Sequence, residues 1–320
     1  MTNDDDKSGD GAWERELVTK LATAALREQR RARLWGIFFK LLTFAYISFI
    51  LLMAVDWKGR ADLAGGKKHT AMVELNGLIA PGTDASADKI TTALQAAFKD
   101  KNTQGVILRI NSPGGSPVQS QAIYDEMRRL RKKYPDIPLH VVVEDICASG
   151  GYFVAAGADR IYVSKSSIVG SIGVLMNGFG FTGLMDKLGV DRRLITAGEN
   201  KGMLDPFSPV NEKDVEYART LVKDIHQQFI GVVREGRGKR LKEIPDMFSG
   251  LIWTGQASVE LGLADGFGTL DSVARDVIKA EDIVDYTQKE GFAEKVARRF
   301  GAGAAGALAE FTLKYSPGIR

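Results

Sequence analysis

Two glycine turns hold the residues best placed to do chemistry. The first reads Asn111-Ser112-Pro113-Gly114-Gly115-Ser116 and follows the apolar run 105–110. Pro113 fixes φ, and the paired glycines reach conformations other residues avoid. Such a turn can aim backbone N–H groups at an anion or a developing oxyanion. It lacks the Lys-Ser/Thr spacing of a phosphate loop, and it reads equally well as a structural turn. The second turn is Cys147-Ala148-Ser149-Gly150-Gly151-Tyr152. Ser149 stands among small neighbours at a strand-to-helix junction. A carbonyl can approach it there, and the helix N-terminus offers donors and a positive dipole end. An ordinary N-cap serine would occupy the same position.

A nucleophilic serine needs a base. The chain has three histidines, His69, His140 and His226. His140 precedes Ser149 inside a strand and His226 falls in a helix, so both read as packed or surface residues. A lysine can serve if burial keeps it neutral. Lys165, Lys187 and Lys201 follow the serine, and spacing does not choose among them. Three histidines leave little material for a metal site. The single cysteine, Cys147, excludes an intrachain disulfide and a cysteine-rich zinc site.

The elements that must position these turns alternate. Residues 71–80 read as strand and turn, 85–99 as helix and 105–110 as a buried strand. Helical spacing covers Pro117–Tyr134, with Ile123, Met127 and Leu130 on one face. LHVVVE (139–144) is a strand, Ser149–Gly157 a short helix, RIYV (160–163) a strand and Gly170–Leu175 a glycine-punctuated strand. Asn211–Arg237 is a long amphipathic helix. Wholly apolar strands alternating with helices predict an α/β domain with buried sheets.

The chain has 320 residues, 44% hydrophobic and 26% charged, which excludes wholesale disorder. A net charge of +3 argues against a nucleic-acid binder that works by phosphate neutralisation. From Leu34 to Val55 only Lys40 is charged, and about 20 apolar residues suffice to cross a bilayer. Trp35 and Trp57 bracket the run as interface anchors. An uncleaved transmembrane anchor is expected, entered by a polar helix over Trp13–Arg33. The Arg27–Arg33 cluster places the N-terminus in the cytoplasm and everything after Asp56 outside it. The organisation expected is a cytoplasmic segment 1–33, an anchor 34–55, a linker 56–69, a folded domain 70–284 and a tail 285–320. The tail holds a small-residue stretch, Gly301–Leu308.

Four blocks, GVILRINSPGGS (105–116), ASGGYFVAAGADRIYV (148–163), IVGSIGV (168–174) and AGENKGMLDPFSP (197–209), together resemble the signal peptide peptidase A family of membrane-anchored bacterial serine peptidases. With the anchor, the resemblance covers residues 34 to about 280. It implies a Clp-protease/crotonase-type fold of stacked strand-strand-helix turns with perpendicular sheets, and catalysis by a Ser-Lys dyad. Ser149 would be the nucleophile and Lys201 the general base. Ser171 would orient the lysine. Gly114 or Gly115, with the N–H of Gly150, would form the oxyanion hole. The sequence around Lys201 is a looser match than that around Ser149. Pro206 and Pro209 keep the Lys201 segment out of a helix, and Met203, Leu204 and Phe207 are there to desolvate the amine.

The resemblance further implies remnant signal peptides and other apolar peptide segments as substrates, with no cofactor and no metal. It implies a homo-oligomeric ring, with Ser149 and Lys201 meeting across neighbours, in the bacterial inner membrane with the catalytic domain on the external side. Two rival readings share the fold. One is a peptidase with the same dyad acting in membrane-protein quality control. The other is a crotonase-type acyl-thioester enzyme, which would want acidic residues at the turns.

Overall fold

The computed structural model describes residues 10–54 and 66–288. Asp10–Ala54 is one unbroken helix, α1, so the expected polar helix and apolar span form a single element. No proline interrupts it, and its Ala, Leu, Glu and Arg content favours helix. Glu16–Ile50 passes as a membrane span by length and composition. Trp57 and Gly301–Leu308 lie outside the described residues.

Residues 66–288 form a second unit around an eight-stranded sheet. Its centre is β1 (His69–Asn76), β2 (Thr103–Ser112) and β3 (Leu139–Ala148), paired in parallel. Crossover helices α2 (Ala87–Lys99) and α3 (Pro117–Lys133) join them, as parallel pairing requires. Val73 and Leu75 of β1, with Leu108 and Ile110 of β2, share a buried cluster with Leu94 and Phe98 of α2 and Ile123 and Met127 of α3. Ile107 and Val142 point the other way, against Val273 and Ala274. Both faces of the central strands are therefore covered, which is why their sequences run apolar without alternating.

β3 is four residues longer than its apolar core predicts, and it branches. His140–Val142 pair with β4 (Arg160–Val163), whereas Ile146–Ala148 pair with β5 (Ile168–Gly170). β6 (Ile252–Thr254) runs antiparallel to β5, β7 (Gly266–Phe267) pairs with β4, and β8 (Ile283–Asp285) closes the far edge beside β1. The strand expected over Gly170–Leu175 is not there: β5 stops at Gly170. Gly170 has φ of 112° and Ser171 of 52°, and a residue turned to positive φ leaves the extended run. The folded unit continues through Tyr286, whose N–H donates to Met72 O and whose hydroxyl donates to Asp100 Oδ2 at 2.7 Å.

The parallel strands start at one edge of the sheet and end at the other, and β6 runs the opposite way. Both glycine turns follow strand C-termini, as does Ser171, so one edge gathers Ser149, Ser171 and the glycines of both turns, while Lys201 lies on an exposed segment after β5.

Candidate active site

Ser149 lies between the end of β3 and the short helix α4 (Gly150–Ala155). Its φ is 52° and ψ −124°, and its side chain makes no capping hydrogen bond. An N-cap serine has extended backbone and caps with its hydroxyl; Ser149 does neither. A non-glycine residue held at positive φ costs roughly 1–3 kcal/mol and persists only where its surroundings enforce it. Here Ser149 N–H donates to Gly170 O at 2.8 Å, while β3–β5 pairing fixes Ala148 opposite Gly170.

The first turn packs directly against the second. A Cβ on Gly114 would stand 2.6 Å from Gly150 N and 2.7 Å from Ser149 Cβ, and one on Gly115 would stand 2.1 Å from Ile79 O. Only glycine fits at either position. Gly114 N–H is engaged by Ser112 Oγ at 3.1 Å, and Ser112 Oγ–H donates to Gly77 O at 2.6 Å. Gly115 N lies 3.1 Å from where a Cβ of Gly150 would be. Gly150 opens α4, where an N–H has no partner inside the helix. The two turns thus bring the backbone N–H groups of Gly115 and Gly150 close to each other beside Ser149.

Ser171 repeats the Ser149 backbone sign, again with φ of 52°. Its N–H donates to Leu251 O at 2.7 Å. The next residue's carbonyl, Ile172 O, lies 3.1 Å from His226 Nε2, and because a carbonyl only accepts, that nitrogen carries the proton. His226, on α6 (Glu212–Arg237), thereby props the Ser171 segment. A mid-helix histidine carries no sequence signal for this role, because its partner is 54 residues away.

Ser149, Gly150 and Ser171 line one cavity of about 720 Å³. Val118, Phe153, Val174, Leu175 and Phe229 supply apolar walls, with Gln121, Asp125 and Gln228 as polar lining. None of the three candidate lysines lines it. Lys165 Nζ sits over the Phe267 ring at 5.8 Å. Lys187 is exposed on α5 (Thr182–Leu188). Lys201 occupies an exposed turn, its N–H bonded to Gly198 O at 3.1 Å.

The Lys201 turn belongs to an arm, residues 174–210, in which no residue is buried. The arm holds together through Arg192–Asp205, Asp205–Ser208 and a stacked Phe181–Phe207 pair at 5.4 Å. Pro206 and Pro209 do keep it out of a helix. Met203, Leu204 and Phe207, expected to desolvate Lys201, leave it exposed within one chain, because the arm packs on itself and not on the domain core.

The remaining candidates are structural. His140 is buried and packs edge-on to Tyr162, and burial lowers its pKa. Cys147 is fully buried, and burial pushes its thiol pKa far up, so it is inert. Among the described residues no group of His, Cys, Asp and Glu is arranged to hold a metal.

Residues 131–284 match the family described as Peptidase family S49, and residues 72–169 match Clp protease. A Methanocaldococcus jannaschii protein provisionally named a protease is 31% identical over 268 residues, 79% of this chain and 85% of that one. An Enterococcus faecium protein provisionally named signal peptide peptidase SppA is 30% identical over 228 residues, 69% of this chain and 66% of its own. A Brucella abortus protein named Na(+)/H(+) antiporter NhaA is 45% identical over 209 residues, 64% of this chain. The chain spans only 28% of that antiporter's length. The fold is thus Clp-protease-like α/β with a mixed sheet.

Proposed function

The chain belongs to peptidase family S49, and we propose that it is a membrane-anchored serine endopeptidase that cleaves apolar peptide segments, remnant signal peptides among them. The observation that carries this reading is Ser149, strained to positive φ, free of any capping role and lining a cavity, with the backbone N–H groups of Gly115 and Gly150 close beside it. In this reading Ser149 Oγ attacks the scissile carbonyl and gives up its proton to Lys201 Nζ. The tetrahedral oxyanion is held by Gly150 N–H and Gly115 N–H, since Gly114 N–H already serves Ser112. Collapse expels the amine, which takes the proton back from Lys201. Water then hydrolyses the acyl-Ser149 ester by the same steps in reverse.

Lys201 must reach Ser149 for this to work. The exposed arm carries large apolar side chains, including Leu175 at 79% exposure, Phe179 at 81% and Ile195 at 95%. Surface of that kind marks an interaction site. It supports a homo-oligomer in which one chain's arm brings Lys201, oriented by a Ser171 hydroxyl, to a neighbour's Ser149. The apolar cavity walls favour apolar peptide side chains, and α1 supports the membrane anchor; the reading places that anchor in the bacterial inner membrane with the domain on the external side. No metal or cofactor enters the scheme. The turns hold a serine, where an acyl-thioester enzyme of this fold would want carboxylates.

A fluorophosphonate probe followed by peptide mapping tests the assignment. One adduct on Ser149, absent from Ser149→Ala, is expected. An adduct on another serine with Ser149 unmodified would overturn it.

A further inference from the structure

The edge of the sheet opposite Ser149 has a chemistry of its own. β1, β2, β3, β4 and β8 all begin there, at His69, Thr103, Leu139, Arg160 and Ile283. Helices α2 and α3 run back to it, so their C-terminal turns lie on the same edge. Those turns are basic. Lys99 ends α2 and Lys101 follows it, α3 ends Arg128-Arg129-Leu130-Arg131-Lys132-Lys133, and Arg160 opens β4. Lys99, Lys101, Lys132, Lys133 and Arg160 are exposed and have no carboxylate within ion-pair distance among the described residues. The carboxylates nearby are largely engaged. Asp159 pairs with Arg131, Glu235 with Arg128, and Asp100 accepts from Tyr286; Asp136 is exposed. Cations at helix C-termini complement the dipole; α3 puts three in its last turn, Arg131, Lys132 and Lys133, after Arg128 and Arg129, which pair with Glu235 and Glu126.

This is also the edge at which the chain arrives from α1. Ala54 ends that helix and His69 begins β1. Even fully extended, the link between them reaches roughly 50 Å at most. If α1 spans a bilayer, as proposed above, the first described residues of the domain, Lys67 and Lys68 among them, are tethered within that distance of it.

We infer that this basic strand-start edge is a docking surface for the anionic phospholipid headgroups of the membrane holding α1. Each basic residue near an anionic surface strengthens residence there roughly fivefold. Docking by this edge turns the opposite edge, with Ser149 and its cavity, away from the headgroups. The enzyme then takes peptide segments that have left the bilayer, not ones still lying in it. The inference rests on the anchoring part of the proposed function, and on no part of the dyad.

The test uses the full chain reconstituted in vesicles of phosphatidylcholine alone or mixed with phosphatidylglycerol. Because Cys147 is buried, a donor fluorophore can be attached at Asp136→Cys, or on the opposite edge at Asp88→Cys, with acceptors on lipid headgroups. Phosphatidylglycerol should raise transfer from position 136 and not from 88. High salt should abolish the rise. Lys101→Glu/Lys132→Glu/Lys133→Glu should lower the docked-to-undocked ratio about a hundredfold or more, leaving turnover of a soluble peptide unchanged. Equal transfer in both lipids, or a rise that survives charge reversal, would overturn the inference. A salt-sensitive gel shift of a DNA oligonucleotide without any phosphatidylglycerol dependence would overturn it in favour of nucleic acid. Flotation with pure phosphatidylcholine vesicles in high salt reads the anchor alone. A chain that fails to float there but is recruited by phosphatidylglycerol refutes the anchor and keeps the lipid-docking edge.

Discussion

Ser149 combines backbone strain with the role of nucleophile proposed for it, and the two can be separated by substitution. Glycine tolerates φ of 52° and ψ of −124° without the penalty a side chain pays. Ser149→Gly should therefore raise the unfolding midpoint, by about 1 kcal/mol of stability, while abolishing hydrolysis. A lowered melting temperature would show that the Ser149 backbone is not strained. Lys201→Ala should lose nearly all turnover, as Ser149→Ala should, and the double variant should be little worse than either, because nucleophile and base act as a unit. Lys201→Arg should fail too, since guanidinium stays protonated. Retained turnover in Lys201→Ala, with loss in Lys165→Ala or Lys187→Ala, would move the base. At this scale the sequence was readable where a residue's own type decides the matter. Small neighbours pointed to Ser149, and paired glycines to the tight approach at Gly114. It was mute where a distant partner decides. Nothing local separates Gly114 from Gly115 as the free N–H, because the choice is made by Ser112 Oγ, and nothing local announces that His226 holds Ile172 O.

Among the elements, strands and helices that bury a face were legible, because burial imposes the apolar pattern. β1 to β4 and the paired helices α2 and α3 all announce themselves this way. β5 and the arm were not, since neither writes a burial period into its sequence. Glycines near Ser171 suggested a continuing strand, and only the backbone at Gly170 and Ser171 ends it. The junction of α6 with β4 is held by a buried ion pair that composition could not reveal. Arg237, with a side chain 0% exposed, donates to Asp265 Oδ2 at 2.9 Å and to Gly262 O at 2.8 Å. Burial raises the Asp265 pKa. The hydrogen bond and charge of Arg237, the Ile161 N–H and the charge of Arg240 outweigh that and hold it below the usual carboxylate range. The folded-state value is thus below the unfolded one. The stabilisation is complete above about pH 4, the unfolded carboxylate value, and is lost as pH falls through the lower folded value. Urea unfolding between neutral and strongly acidic pH should show that decline, and Asp265→Asn should flatten it. Arg237→Ala, which leaves Asp265 only the partly exposed Arg240 and the Ile161 N–H, should cost about 3 kcal/mol at neutral pH. An unchanged acid slope in Asp265→Asn would place the sensitivity elsewhere.

At the scale of the whole molecule, the described chain is a long helix and an α/β unit whose arm is left uncovered. A reporter active only outside the cytoplasm should work when fused after residue 70; activity only of a cytoplasm-restricted reporter would reverse the orientation. The arm raises the larger question. Residues 174–210 bury nothing, yet they carry Lys201 and a run of apolar side chains. An exposed apolar arm of this extent is unfavourable in water, and a second copy of the chain would cover it while bringing an amine to a serine that has none in its cavity. If so, an active unit needs one intact Ser149 and one intact Lys201 from different chains. Mixed oligomers of Ser149→Ala and Lys201→Ala chains would then contain sites made of an unaltered serine and an unaltered lysine. Each parent alone should be inactive, and the mixture should regain a fraction of wild-type turnover that follows the statistics of random neighbours. Replacing Ile195, 95% exposed on the arm, by Asp should shift the assembly to smaller species and lower activity in proportion. Verified mixed oligomers with no regained activity would instead place Ser149 and Lys201 in one chain's own site, and the arm would then have to fold back over the cavity it leaves open here.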